Sequence, residues 1–308
     1  MSTAKANIPS ITANGVELPR LSFGTHNLKG QECKNLVRHA LESGIRFLDT
    51  ASYYDNEEEV GQAVRESRIP REDIIIGTKV WRTEVTRDKI IESVNASLER
   101  LGLDYVDVIY PHWHKASTTT EDMMAAFQYL LEQGKVKSVA MSNFNIGMME
   151  EVMAAGVQPV IGNQIEYHPY LGQKELYDTM TKRPDFREYD LAVIAYSPLA
   201  NGRAAGDPVL MEIGEKYDKT AAQVALRWVI ERGQTVAMFR GDTPEQIDEN
   251  IDIFDFSLTP DDIHRIDALN ARNLRLYEHP SMRKKWDDAV AFQGLNKPQM
   301  DPSQDCSA

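Results

Sequence analysis

Eight short apolar runs, each followed by a stretch of helical spacing, constrain this chain more than any other feature. The runs cover 21–25, 45–49, 74–79, 105–110, 136–141, 160–165, 191–196 and 235–239. They are solidly apolar, as parallel strands buried on both faces are. Between them, stretches such as 31–42, 87–100, 121–133 and 221–232 repeat apolar residues every three or four positions, the period of an amphipathic helix. Gly44, Gly102, Gly134 and Gly233 follow helical stretches, where a C-cap favours φ > 0. The alternation predicts an α/β chain folded as a (β/α)8 TIM barrel, one domain spanning 1–308. Asn14-Gly15 between short alternating segments predicts an N-terminal β-hairpin ahead of it. The competing architecture, a doubly wound sheet, would carry a Gly-rich turn after its first strand, and none is present.

The longer connections, 197–218 and 271–308, are candidates for function. The second is expected to form a C-terminal loop over the active-site face, with Trp286 covering the site and a poorly ordered tail from 296. A formal net charge of -13 argues against a nucleic-acid binder. Two cysteines, Cys33 and Cys306, are too few for a disulfide scaffold and suit a reducing compartment. No run of 18 apolar residues and no basic-then-apolar leader is visible, so the expectation is a soluble, cytoplasmic protein with no membrane partner.

A barrel displays its chemistry at the C-terminal ends of its strands. The stretch FLDTASYYDNEEEVG delivers Asp49 and Tyr54 there after the second run, Lys79 ends the third, and His112 follows the fourth. Alone, Asp49 reads as a loop cap and Tyr54 as a packing ring. Together the four groups suit acid catalysis by a phenol. Free tyrosine, with a pKa of about 10, releases its proton reluctantly near neutral pH. A lysine ammonium beside it is expected to lower that value, and Asp49 to hold the lysine charged. A neutral His112 would orient a substrate oxygen toward Tyr54, which protonates it as hydride reaches carbon.

The motifs GTKVWR, LGLDYVDVIYPHWH, MSNFN, GNQIEYHPYL, AYSPLANG and TPEQIDEN follow in order, and with them the chain resembles the aldo-keto reductases over essentially its whole length. The resemblance implies an NAD(P)H-dependent oxidoreductase that reduces an aldehyde or ketone, or runs the reverse oxidation, with cofactor held in extended form on the barrel. By resemblance, Asp49, Tyr54, Lys79 and His112 form the catalytic tetrad. Ser142, Asn143 and Gln164 would hydrogen-bond the nicotinamide carboxamide, Tyr196 would stack on its ring, and Thr25 is a further expected cofactor contact. Ser197 and Leu199 match pyrophosphate contacts, Glu249 and Asn250 adenine contacts, and Phe239, Arg240, Gly241 and Gln246 stand where the 2'-phosphate end is read.

The pattern is broken in two places. Where the family commonly carries a Lys-Ser pair and a later Arg, this chain has Arg240, Gly241 and Gln246. One cation survives, and its planar fork can grip a phosphate, so NADP(H) is the expected cofactor with NAD(H) the alternative. On the substrate side, His26, Tyr53, Trp81, Trp113 and His114 predict a pocket half aromatic and half polar for a small-molecule carbonyl. The family default is a monomer. Two rival readings remain: a metal-dependent hydrolase built on the His112-Trp113-His114 spacing, and a non-catalytic subunit that keeps only the cofactor pocket.

Overall fold

The computed structural model describes residues 7–83, 86–114 and 119–277; Trp286, His279, Cys306 and the tail lie outside them. The chain opens with β1 (Ser10–Ala13) and β2 (Val16–Pro19), an antiparallel pair with Ala13 opposite Val16. Asn14 and Gly15 both have positive φ, 45° and 79°, the two-residue turn whose twist matches paired strands. Ile11, Ala13 and Leu18 of this hairpin pack with Phe47, Val108, Ala140 and Val236, so the hairpin plugs one mouth of the eight-stranded barrel.

The barrel strands are β3 (Leu21–Gly24), β4 (Phe47–Asp49), β5 (Ile75–Val80), β6 (Val106–Pro111), β7 (Val136–Ser142), β8 (Val160–Glu166), β9 (Ala192–Tyr196) and β10 (Thr235–Phe239). They pair in parallel in sequence order, and β10 closes on β3. All eight apolar runs are these strands, with ends shifted by two residues at most. The helices between are α1 (Gly30–Glu42), α2 (Glu57–Glu66), α3 (Arg87–Leu101), α4 (Thr120–Glu132), α5 (Ile146–Ala154), α6 (Lys174–Lys182), α7 (Pro184–Arg187), α8 (Pro208–Glu215), α9 (Ala221–Ile230), α10 (Pro244–Ile251) and α11 (Pro260–Ala268).

Two hydrophobic layers result from the period-two alternation of strand side chains. Ala192, Ile194, Val236 and Met238 point into the barrel, whereas Val193, Ala195, Ala237 and Phe239 pack outward with the helices. Helix starts carry the signals their sequences announce: Thr86, Thr119, Asn145, Thr220, Thr243 and Thr259 each accept a backbone N–H at an N-cap. Gly102 ends α3 at φ +62°, the left-handed cap that glycine favours. Among the described residues, no helix is long and apolar enough to cross a membrane.

Candidate active site

Strand parity decides which groups reach the rim. Asp49 ends β4 and Lys79 is the penultimate residue of β5, and both side chains are buried inside the barrel. The Lys79 ammonium donates to Asp49 Oδ1 and, at 2.9 Å, to the Thr50 carbonyl. It stands 3.4 Å from the Tyr54 phenol oxygen. Tyr54 arrives on a single 3-10 turn, Ser52–Tyr54, that leaves the end of β4 and is followed by Asp55 at φ +50°. His112 lies across Tyr54 edge-on, ring centroids 5.4 Å apart. Three side chains from three successive strand ends thus gather around the Tyr54 phenol.

The electrostatics differ from the sequence expectation in one respect. A lysine beside the phenol should pull its pKa down, whereas burial, then the Asp49 charge, hold Tyr54 well above the ordinary tyrosine value. The Asp49 carboxylate offsets the lysine's field, and desolvation then dominates. Burial likewise pushes the Asp49 carboxyl up and the Lys79 ammonium down, each shift opposed by the other's charge. His112 is held well below the usual imidazole range, by burial first and by Lys79 second. His26, 4.9 Å edge-on from Tyr54, is lowered to about 4, chiefly by burial and by Arg240. Near neutrality the rim therefore holds a protonated phenol between two neutral imidazoles.

Next to this group lies a shelf of polar side chains. Gln164 on β8 donates from Nε2 to Asp49 Oδ2 at 2.9 Å. Asn143, at φ +59° just beyond β7, donates from Nδ2 to the His112 carbonyl and to Ser142 Oγ, each at 3.2 Å. The Tyr196 hydroxyl donates to Asn143 Oδ1 at 2.9 Å. The Asn143 backbone N–H donates to the Gln164 carbonyl at 2.9 Å, so Ser142, Asn143, Gln164 and Tyr196 form one connected set, tied to the tetrad through Asp49 and His112. Hydroxyl and carboxamide groups beside an aromatic ring fit a nicotinamide, whose own carboxamide both donates and accepts.

Other expected contacts fall less directly. Thr25 is fully buried and its hydroxyl donates to the Asp49 carbonyl at 3.0 Å, so that side chain braces the strand end. Phe239 faces outward and packs on Phe23, centroids 5.9 Å apart. Gly241 is dictated by α10, since a Cβ there would stand 2.7 Å from Ile247 Cγ1. Gln246 accepts the Asp242 N–H at 2.8 Å, and Glu249 accepts the Thr220 hydroxyl at 2.7 Å. Asn250 is buried on α10, while Ser197 and Leu199 sit half-buried on the loop after β9. Arg240 pairs with Asp242 at 2.9 Å and donates to the His26 carbonyl at 3.1 Å.

On the open side, Tyr53 stacks on Trp81 with centroids 3.9 Å apart, and Trp81 meets His112 edge-on at 5.1 Å. Trp113 and His114 are each 8% exposed; Trp113 belongs to the outer core with Met123 and Phe127, and His114 lies edge-on to Phe144. The rings that meet Tyr54 are His26 and His112, and Tyr53 and Trp81 reach this cluster through His112. Among the described residues, no group of three or more His, Cys, Asp and Glu side chains could hold a metal ion.

Residues 20–271 match the model of the Aldo/keto reductase family. The chain belongs to that family. It is 38% identical over 259 residues to the glyoxal reductase of Bacillus subtilis, covering 83% of this chain and 91% of that protein. It is 36% identical to the 9,11-endoperoxide prostaglandin H2 reductase of Trypanosoma cruzi, covering 83% and 89% respectively. A Bombyx mori aldo-keto reductase in complex with NADP superposes with a TM-score of 0.80 at 30% identity, covering 92% of this chain and 98% of that one. Two residues given no role from the sequence lie beside this shelf in this aldo-keto reductase: Glu166, two residues beyond Gln164 on the same strand, and Tyr277, 5.7 Å edge-on from Tyr196.

Proposed function

We propose that this aldo-keto reductase reduces a small carbonyl compound to the alcohol with NADPH, Tyr54 giving the proton. The reading rests on the Lys79 ammonium that joins Asp49 to the Tyr54 phenol beside a neutral His112. The bound nicotinamide would supply the hydride. His112 hydrogen-bonds the carbonyl oxygen and turns it toward Tyr54, and Tyr54 protonates that oxygen as the carbonyl carbon is reduced. Lys79 then stabilises the phenolate left behind, with Asp49 fixing the lysine in place. Ser142, Asn143 and Gln164 would hold the carboxamide, and Tyr196 would pack against the nicotinamide ring, leaving it open to substrate. His26, Tyr53 and Trp81 line the substrate side. The glyoxal reductase relative is named for a carbonyl substrate, and the Bombyx mori relative holds NADP. The free, buried Cys33 suits a reducing, cytoplasmic setting.

Arg240 is the cation we assign to the 2'-phosphate. Asp242 already engages it, so the phosphate must share or displace that partner, which narrows the margin over NADH. Titrating intrinsic tryptophan fluorescence with each cofactor tests this directly. NADPH should bind more tightly than NADH. Arg240→Ala should weaken NADPH about tenfold, the size of one lost charge-assisted bond, and leave NADH unchanged. Absence of binding by either nucleotide would remove the redox reading. An equal loss for both nucleotides would take the phosphate from Arg240.

The protonation states also set a pH profile. The donor form of Tyr54 is lost only as pH rises past a value above the ordinary tyrosine pKa, and neutral His112 is lost only below the ordinary imidazole range. The turnover number for carbonyl reduction should therefore be flat from about pH 6 to about pH 9. An apparent pKa near 7 to 8 in that profile would assign the proton to another group.

A further inference from the structure

Glu166 ends β8 with its carboxylate fully buried, and its partners are mostly main-chain groups more than 100 residues away. Oε1 accepts the Leu276 N–H at 2.7 Å and Oε2 the Tyr277 N–H at 3.0 Å. His168 Nε2 lies 3.0 Å from Oε1. The same segment is held twice more: the Leu274 N–H donates to the Tyr170 carbonyl at 3.0 Å, and Arg275 Nη2 to Gln173 Oε1 at 3.1 Å.

Three of the four residues from 274 to 277 are thus fixed through their main-chain N–H groups. An ion-capable carboxylate buried to serve two amides costs desolvation that an ordinary turn does not need. What the arrangement delivers is the Tyr277 ring. It stands edge-on to Tyr196 at 5.7 Å, and its hydroxyl donates to Asn201 Oδ1 at 2.9 Å. Asn201 belongs to the loop after β9 that carries Ser197 and Leu199, and that loop holds Ser197, Ala200, Asn201 and Gly202 all at positive φ, from 50° to 83°.

We propose that Tyr277, held in place by Glu166, is a cofactor-positioning residue: its ring sets Tyr196, and its bond to Asn201 latches the loop after β9 across the bound dinucleotide. The proposal rests on the cofactor reading of this site. The bond ties the 274–277 segment, whose Tyr277 ring lies edge-on to Tyr196, to the loop that carries Ser197 and Leu199, so any opening of that loop to release the dinucleotide would first break it. Glu166 acts at one remove, by fixing the backbone from which Tyr277 projects. Both are positioning residues, since neither is placed at the reacting atoms.

The test is the rate of NADPH release, followed by stopped-flow tryptophan fluorescence on the full-length enzyme, beside the thermal midpoint of each variant. Tyr277→Phe should release NADPH about three to ten times faster, the range for one lost hydrogen bond, with an unchanged thermal midpoint. Asn201→Gly, which tolerates the positive φ, should do the same, and the double variant should be no faster than either single one. Glu166→Gln sets an amide N–H2 against the backbone N–H groups and should release NADPH faster still. Should Glu166→Gln fail to fold, the Tyr277 and Asn201 pair carries the test alone. Release at the wild-type rate in both Tyr277→Phe and Asn201→Gly overturns the latch while leaving the cofactor reading intact. A wild-type enzyme that binds no NADPH overturns both.

Discussion

Replacing Tyr54 by phenylalanine is expected to lower turnover of any carbonyl substrate by about 10³-fold or more, near the upper part of the range for a positioned proton donor. The substitution deletes one oxygen and keeps the ring, so the edge-on contacts with His26 and His112 survive. NADPH affinity should stay within about twofold, because the shelf of Ser142, Asn143 and Gln164 is tied to Asp49 and His112, not to the phenol. Rate and affinity together make the result diagnostic. Collapse of both would indicate a damaged fold, which a thermal scan would reveal. Turnover held within about tenfold of wild type, with NADPH binding unchanged, would mean the proton comes from elsewhere, His112 being the next group at the rim.

The barrel was legible because strands buried on both faces have no polar side to break their apolar runs, and because each run ends where the chain turns into a helix. The tetrad was legible for the same reason, since Asp49, Lys79 and His112 stand at or next to strand ends and Tyr54 follows within one turn. Parity was the first thing the motifs concealed. Phe239 sits one residue from the inward Met238 and so faces the helices, and Thr25 is consumed by the Asp49 carbonyl. The direction of the phenol's shift was the second. It depends on how far Asp49 neutralises Lys79 and on how deeply all three are buried, neither of which residue spacing contains. Glu166 offered a faint signal, as an acid on the same strand face as Gln164. Tyr277 offered none, because its contacts with Glu166 and Asn201 close over sequence separations of 111 and 76 residues.

Lys79→Met is expected to cost both stability and catalysis, and the two losses can be separated. Asp49 and Lys79 are 1% exposed each and joined directly. Removing the ammonium leaves a buried carboxylate facing Gln164 Nε2, which donates to it at 2.9 Å but carries no charge. Breaking one side of such a pair typically costs about 3 to 5 kcal/mol, which urea denaturation would read as a lower midpoint at unchanged slope. Turnover should fall by about 10²-fold or more, because the phenolate loses the cation that stabilises it. Asp49→Asn combined with Lys79→Met removes both charges at nearly constant volume. That double variant should regain most of the stability, as buried ion pairs replaced by neutral groups commonly do, yet stay as inactive as Lys79→Met alone. If the double variant were active, Lys79 would be a scaffold residue and the phenol would work without it. If Lys79→Met were as stable as wild type, Asp49 would already be neutral in the folded enzyme, and the lysine would have no charge to anchor. Recovery of stability without recovery of turnover is the outcome that keeps the ion pair inside the mechanism, because only the catalytic step then still needs the positive charge.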